Sequence, residues 1–178
     1  NYYGALGDGT GIQKTSPVQI GTDKNWESIA GGGGFTLGLK SDGTLWAWGE
    51  NNFGQLGDGT TTIRYSPVQI GMDNNWVSID VGYYHSFGRK SDGTLWAWGN
   101  NWCGALGDGT TSFRNSPVQI GTDKNWVSIA VGQLHTLALK SDGTLWAWGW
   151  NIFGELGDGT NTDRTSPIQI GMDNKWAS

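Results

Sequence analysis

The sequence predicts an all-β fold assembled from a repeated unit of 50 residues. The segment Lys40–Gly49 returns unchanged as Lys90–Gly99 and as Lys140–Gly149. A fixed period of this length is typical of stacked or radial repeat architectures. The chain also contains 31 glycines and 12 tryptophans, a composition that favours short strands, tight turns and large aromatic fillers. No segment shows the periodicity of an amphipathic helix, so we expect strands throughout.

Each unit contains a β-hairpin at its centre. In the first copy, the apolar runs Phe35–Lys40 and Thr44–Gly49 flank a Ser-Asp-Gly turn, in which Gly43 accepts a positive φ at no steric cost. Because side chains alternate along a strand, Trp46 and Trp48 point to one face and their neighbours point to the other. Both faces are apolar, so we expect the sheet to be covered on both sides.

The remaining strands are placed on either side of this hairpin. Trp26–Ala30 is the predicted first strand and Pro67–Ile70 the predicted fourth. An edge position suits the fourth strand, because proline has no N–H to donate to a neighbour. By the same reasoning, Pro17–Ile20 is predicted to be a short strand. A long loop follows each Trp-Ala-Trp strand, over residues 50–66, 100–116 and 150–166.

Four antiparallel strands in a unit of this length are typical of a β-propeller blade. Small residues in the first strand, such as Ser28 and Ala30, fit the crowded centre of a ring, and the paired tryptophans fit the wider gap farther out. A β-solenoid is the competing fold, and its short parallel coils lack Asp-Gly hairpins. We expect a single propeller segment over residues 1–178, divided into repeats 1–50, 51–100 and 101–150 and a partial repeat 151–178.

The joint motifs of one repeat resemble those of a known family. They include Trp76-x-Ser-Ile, the invariant Lys90–Gly99 segment and Asn101-x-x-Gly-x-Leu-Gly107. This pattern resembles the repeat of the regulator-of-chromosome-condensation family, and the likeness covers essentially the whole chain. The resemblance implies a ring of about seven blades when complete. It does not imply one function, because a single propeller fold supports many roles.

The resembling family includes a nuclear exchange factor for a small GTPase and a secreted bacterial β-lactamase inhibitor. The exchange factor has an inserted wedge and a basic tail, whereas this chain is acidic and its three loops are equally long. Guanine nucleotide exchange factor-like activity is therefore the less favoured alternative. The near-identity of the repeats is similar to that of bacterial, extracellular members, so we expect a secreted or cell-surface bacterial protein.

Composition and charge argue against several functional classes. The net charge is −5, whereas a nucleic-acid partner needs a basic face. No apolar stretch is long enough for a membrane span, and the single Cys103 cannot form a disulfide framework. No nucleophile, base and orienting group recur with a catalytic spacing. We therefore expect neither enzymatic activity nor a cofactor.

Two recurring residue types resemble metal ligands but are explained more simply by structure. His85 and His135 occupy the position of Phe35, so we expect imidazoles that satisfy buried backbone groups. The aspartate of each Gly-Asp-Gly-Thr segment supplies too few oxygens for calcium, which takes six to eight, so turn capping is expected. A second aspartate series receives the same turn interpretation. The two series are Asp8, Asp58, Asp108 and Asp158, and Asp23, Asp73, Asp123 and Asp173.

The repeats differ mainly at one predicted end of the sheets. There, the turn between the first two strands is Gly-Gly, Tyr-Tyr and Gln-Leu in successive copies, whereas the Ser-Asp-Gly-Thr turn at the opposite end is invariant. Because tyrosine and tryptophan are typical interface anchors, we expect the variable end to bind a protein or a glycan. The candidate residues are Tyr83, Tyr84, Trp102, Trp150, Gln133, Leu134, Glu50 and Ile152.

Two alternatives to this binding hypothesis stay open. Repeats drift wherever packing tolerates change, so the aromatic residues can instead fill gaps between blades. In addition, three whole blades cannot close a ring that needs about four to eight. We therefore expect sister chains or the missing part of a longer array to complete the ring. In the second alternative, these chain-to-chain contacts are themselves the function.

Overall fold

The computed structural model describes residues 1–176, which form three four-stranded antiparallel sheets. The first sheet contains β1 (Trp26–Gly31), β2 (Phe35–Lys40), β3 (Leu45–Gly49) and β4 (Arg64–Gln69). The second contains β5 (Trp76–Val81), β6 (His85–Lys90), β7 (Leu95–Gly99) and β8 (Arg114–Gln119). The third contains β9 (Trp126–Val131), β10 (His135–Lys140), β11 (Leu145–Gly149) and β12 (Arg164–Gln169). These sheets confirm the predicted blades, and their described residues include no helix with the length and apolarity that a membrane crossing requires.

The fourth strand of each sheet begins earlier than predicted. In the first sheet it starts at Arg64, so Pro67 lies inside the strand rather than at its start. Pro67 is tolerated because β4 is an edge strand and its pairing with β3 is irregular between Ala47 and Gly49. At this irregularity the missing proline N–H does not interrupt a regular ladder of hydrogen bonds.

The predicted strand over Pro17–Ile20 is wrong. These residues form no strand in the structure, and most of them are exposed. Each observed fourth strand pairs with the third strand of its own sheet, as β4 does with β3. Among residues 1–176, no strand lies before Pro17 with which this segment could pair, so it forms no ladder here.

Neighbouring sheets pack through tryptophans on one side and aliphatic residues on the other. Leu37, Leu39 and Ala47 of the first sheet form one core cluster with Trp76 and Trp98 of the second. An equivalent cluster joins the second and third sheets. Each large apolar side chain that is fully buried contributes about 1.5–3 kcal/mol. The second sheet is therefore covered on both faces, as predicted.

The third sheet has one face without a neighbouring sheet. On that face Leu137, Leu139 and Leu145 are half-buried. Their equivalents in the first sheet are at most 2% exposed, because the second sheet covers them. The three sheets of residues 1–176 thus leave the ring open.

The loop that follows each third strand is attached to the next sheet. The indole N–H of Trp98 and the hydroxyl of Ser86 both donate to the carbonyl of Gln55, at 3.0 and 2.7 Å. The carbonyls of Ala5 and Ala105 receive the same pair of bonds in the first and third sheets. These bonds fix where the loops lie relative to the sheets.

Candidate functional site

The sheets have two chemically different ends. The turn end comprises the β2–β3 turn and its equivalents, residues 41–44, 91–94 and 141–144, with the segments that connect one sheet to the next. The loop end comprises the first turn of each sheet, residues 32–34, 82–84 and 132–134, and the loops 50–63, 100–113 and 150–163. Among the three repeats, nine positions of the loop end differ, whereas only three positions of the turn end do.

At the turn end, a lysine is held between two tryptophans and an aspartate. The Nζ atom of Lys90 lies 4.8 Å from the ring centroid of Trp76, 3.9 Å from that of Trp96 and 2.8 Å from Asp73. Lys40 and Lys140 are bound in the same way. The turn interpretation of Asp73 and its equivalents missed this ion pair. Cation–π contacts and the ion pair together stabilise the nearly buried ammonium group.

Each loop at the loop end is stabilised by a buried asparagine. The side-chain amide of Asn101 donates to Asp108 and to the carbonyl of Thr110, and its oxygen accepts from the N–H of Leu106 at 2.9 Å. Asp108 also accepts from Thr110 and Arg114, which confirms the predicted capping role. Burial acts to raise the pKa of Asp108, but these hydrogen bonds outweigh it and hold that pKa below its usual range.

His85 is structural in a different way from the one predicted. Its ring is fully buried and packs against Phe87, at a centroid distance of 5.8 Å. Neither ring nitrogen has a hydrogen-bond partner, so the prediction that it satisfies backbone groups is wrong. Burial, with a smaller contribution from His135, lowers the pKa of His85 to about 3. The neutral ring therefore fills space as Phe35 does in the first sheet.

A cavity of about 520 Å³ opens at the loop end between the second and third sheets, and we call it the aromatic cavity. Two first turns and two long loops supply its walls. The rings of Phe113, Phe53, Tyr84 and Tyr83 contact one another in that order, with centroid distances of 5.4, 4.9 and 4.5 Å. The lining residues are Phe53, Tyr83, Tyr84, Asn100, Trp102, Phe113, Gln133 and Leu134.

Five of the eight predicted site residues line the aromatic cavity. They are Tyr83, Tyr84, Trp102, Gln133 and Leu134. Trp150 and Ile152 lie on the next loop, where Trp150 contacts Phe153 at a centroid distance of 5.6 Å. Glu50 is only 6% exposed and accepts a hydrogen bond from Asn52, so it is not the surface contact that was predicted.

Three cavity residues were missed by the sequence analysis. Asn100 occupies the position of Glu50 and Trp150, so its variability was an available signal, whereas the position of Phe53 is phenylalanine in two of the three copies. Phe113 occupies a position that is isoleucine and aspartate in the other copies, so its variability was the available signal. It lies 13 residues after Asn100 in the sequence, and only the folded loop brings it to the cavity.

The repeated antiparallel blades and their variable loop end define a β-propeller segment. A model of the regulator of chromosome condensation (RCC1) repeat matches residues 42–88, 92–139 and 142–178. A second model of this repeat matches residues 26–55, 76–105 and 126–155. The chain therefore belongs to the RCC1 repeat family. No curated protein matches the chain.

Solved propellers share this fold. Human WBSCR16 matches with a TM-score of 0.84 at 25% identity, covering 96% of this chain and 46% of that one. Prp20p from Saccharomyces cerevisiae matches with a TM-score of 0.75 at 24% identity, covering 83% of this chain and 38% of that one. Yeast RCC1 (Prp20) bound to Kap60 gives 0.74 at 25% identity, with coverages of 83% and 37%. This chain spans less than half the length of these structures.

Proposed function

We propose that this chain is a non-catalytic binding module that recognises a protein or a glycan through its loop end. The aromatic cavity is the observation that carries the proposal. Its walls combine aromatic rings with the side-chain amides of Asn100 and Gln133. Ligand-binding pockets typically combine aromatic side chains, against which a ligand stacks, with a few polar groups that form directional hydrogen bonds.

The exposure of the aromatic residues supports recognition over packing. Trp102 is 72% exposed and Tyr83 is 43% exposed. The core tryptophans are almost completely buried, as Trp98 illustrates with 0% exposure. Exposed aromatic side chains are favoured as binding anchors, because they supply a large contact area at a low cost in conformational entropy.

The rigidity of the loops also supports recognition. Asn101 fixes the loop that carries Trp102, and the bonds of Trp98 and Ser86 to Gln55 fix the loop that carries Phe53. A site whose backbone is already ordered loses less entropy when it binds a ligand. The invariant residues therefore hold a platform on which the variable residues can differ.

The proposal is tested by screening the purified chain against a glycan array and a panel of defined proteins. Tyr83→Ser and Trp102→Ala are expected to weaken a genuine interaction by about tenfold or more, as removal of aromatic anchors commonly does. Met72→Ser is the matched control, because Met72 is 94% exposed but lies at the turn end. Binding that is unchanged by both cavity variants would contradict the proposal.

The uncovered face of the third sheet favours a second candidate function, in which copies of the chain associate. Exposure of Leu137, Leu139 and Leu145 leaves apolar surface that further sheets would bury. One contact restricts how a second copy can approach. Residues 1–10 already supply the Ala5 carbonyl to Trp48, so they occupy the place that a preceding copy's loop would take.

Light scattering at increasing protein concentration tests this second candidate. Association through the third sheet predicts a molar mass above that of one chain, and Leu139→Glu should restore the mass of a single chain. A matched control is Val127→Glu, on an exposed strand position outside the uncovered apolar set. A single-chain mass for the unmodified protein at every concentration would reject this candidate.

A further inference from the structure

The aromatic cavity presents hydrogen-bond donors that have no acceptor of their own. The Oδ1 atom of Asn100 accepts from the backbone N–H of Trp102 at 2.9 Å, whereas the Nδ2 group of Asn100 has no acceptor among residues 1–176. The indole N–H of Trp102 is likewise unpaired within these residues, and this side chain is 72% exposed. Amide and indole N–H groups only donate, so a ligand that satisfies them must offer acceptors.

The backbone acceptors in the first turns of the cavity are already occupied. The carbonyls of residues 83, 84, 133 and 134 all accept backbone hydrogen bonds, as the carbonyl of Tyr84 does from the N–H of Asn100 at 2.9 Å. The lining includes no aspartate or glutamate. The side-chain acceptors that remain are the amide oxygen of Gln133 and the hydroxyls of Tyr83 and Tyr84. The wall is therefore rich in free donors and poor in free acceptors.

This hydrogen-bond pattern discriminates between classes of ligand. A glycan presents many hydroxyl groups, each with a proton to donate, and several of these would lack an acceptor in the cavity. A basic side chain only donates, so it leaves the amide and indole donors unsatisfied. An anion supplies acceptors, but it meets the negative faces of aromatic rings and no lysine or arginine in the lining. A neutral ligand that carries carbonyl groups and few donors is favoured.

Proline-rich segments of protein have these properties. Proline has a carbonyl group but no N–H, and in the polyproline II helix the carbonyls have no internal partner. Grooves lined with aromatic residues recognise such segments in other proteins. In this cavity the contacting rings of Phe113, Phe53, Tyr84 and Tyr83 supply the apolar surface. Trp102 supplies a further exposed ring together with a donor.

We propose that the aromatic cavity binds a proline-rich segment of a partner protein in the polyproline II conformation. The inference rests on the proposed binding function and narrows its ligand to this class. The proline rings pack against the aromatic rings, and carbonyls of the segment accept from the Nδ2 group of Asn100 and the indole N–H of Trp102. Because the polyproline II helix exists before binding, the ligand loses little conformational entropy.

The test compares two peptides that differ only in handedness, an acetylated and amidated hexaproline built from L-proline and its mirror image built from D-proline. Binding to the ¹⁵N-labelled chain is followed at the indole N–H of Trp102, whose signal is identified by its loss in Trp102→Phe. The L-peptide should shift this signal to saturation. It should bind about fivefold or more tightly than the D-peptide, because the mirror-image helix places its carbonyls elsewhere and loses at least one hydrogen bond.

Two variants remove the donors one at a time. Asn100→Asp keeps an acceptor for the N–H of Trp102 but replaces the donating amide, so the L-peptide should bind about fivefold or more weakly. Hydrogen exchange at the backbone N–H of Trp102 verifies that the loop is unchanged. Trp102→Phe keeps an aromatic ring and removes the indole donor, and it should weaken binding similarly, as followed at the side-chain amide of Asn100. Asn74→Asp is the matched control, because it adds the same charge at an exposed position of the turn end and should leave binding unchanged.

Three outcomes would overturn the inference. In the first, the L-peptide and the D-peptide bind equally, or neither shifts the Trp102 signal. In the second, Asn100→Asp and Trp102→Phe both leave the affinity for the L-peptide unchanged. In the third, the neutral glycan cellohexaose binds at Trp102 and hexaproline does not, which would leave the proposed function standing with a glycan as its ligand. Cavity variants that leave every interaction of the chain unchanged would instead reject the proposed function.

Discussion

The turn end and the loop end are built by the same strands, but they use aromatic residues differently. At the turn end, Trp76 and Trp96 lie against Lys90, and the arrangement repeats in all three sheets. At the loop end, Tyr83 and Trp102 are exposed, and the equivalent positions in other repeats hold different residues. The position of an aromatic side chain, rather than its residue type, therefore decides whether it stabilises this fold or is free to vary among the repeats.

Hydrogen bonds that fix the backbone of the loops explain why the sequence of the loop end can vary without loss of the fold. The backbone of each loop is fixed by an invariant asparagine, aspartate and arginine, such as Asn101, Asp108 and Arg114. Invariant glycines between them supply the positive φ angles that the loop requires. A change at Tyr83 or Trp102 therefore alters the surface and leaves the frame intact.

The sharpest contrast is expected between two tryptophans four residues apart in the sequence. Trp98→Ala removes a side chain that is 0% exposed and should lower the free energy of unfolding by about 3–5 kcal/mol. Trp102→Ala removes one that is 72% exposed and should cost less than about 1 kcal/mol. Urea denaturation followed by far-UV circular dichroism measures both values. Similar losses of stability for the two variants would contradict the proposed difference between core tryptophans and those of the loop end.

The next largest effect is expected for the asparagine that fixes the loop. Asn101→Ala leaves the buried N–H of Leu106 without its acceptor and frees Asp108 and Thr110, so we expect a loss of about 2–3 kcal/mol. Asn100→Ala is the neighbouring control, since within residues 1–176 the Asn100 side chain accepts a single hydrogen bond, from the N–H of Trp102. Its loss should be about 1 kcal/mol or less. Hydrogen exchange at Leu106 reports whether the loop opens in the first variant.

The buried side chain of His85 should make the stability of the fold depend on pH. His85 has a lowered pKa of about 3 when folded, against about 6.5 when unfolded, so the unfolded chain binds more protons below pH 6.5. Stability should therefore fall by about 2 kcal/mol between pH 7.5 and pH 5 on account of this residue. His85→Phe should remove this part of the pH dependence, and Phe35→His should add a similar one in the first sheet. Identical pH profiles for the three proteins would contradict the assignment of a buried neutral ring.

The smallest effect is expected from removing one cation at the turn end. Lys90→Met keeps an apolar stem but loses the ion pair with Asp73 and the contacts with two rings, at a cost of about 1 kcal/mol. Lys124→Met, at an exposed position of the same end, should change stability by less than about 0.5 kcal/mol. Thermal unfolding monitored by circular dichroism compares the two. A stabilised Lys90→Met would mean that burying the ammonium costs more than its partners return.

The period and the hairpin were sufficient to predict most of the fold. The exact return of the Lys40–Gly49 segment fixed the unit, and alternation along the strand placed Trp46 and Trp48 on one face. Strand pairing between distant segments was harder to predict. Pro17–Ile20 has the sequence of a fourth strand, but a strand forms only when its neighbour is present.

The candidate site was predicted in part, and the missing part depends on tertiary geometry. Variability between repeats located Tyr83, Tyr84 and Trp102, because each of these positions holds a different residue in every copy. The burial of Glu50 could not be predicted, since it depends on how the first turn of the sheet folds over the loop. The ion pair between Lys90 and Asp73 was missed for a similar reason, because the two residues are 17 positions apart.

The central claim is that the aromatic residues of the cavity serve recognition and not the stability of the blades. It is tested most directly by the free energy of unfolding of the double variant Tyr83→Ser/Tyr84→Ser, measured in urea beside the unmodified chain. We predict a loss of about 1 kcal/mol or less, because Tyr83 is exposed, Tyr84 is half-buried, and neither belongs to the core clusters that join the sheets. A loss of about 3 kcal/mol or more would show that these tyrosines are part of the core and would contradict the claim.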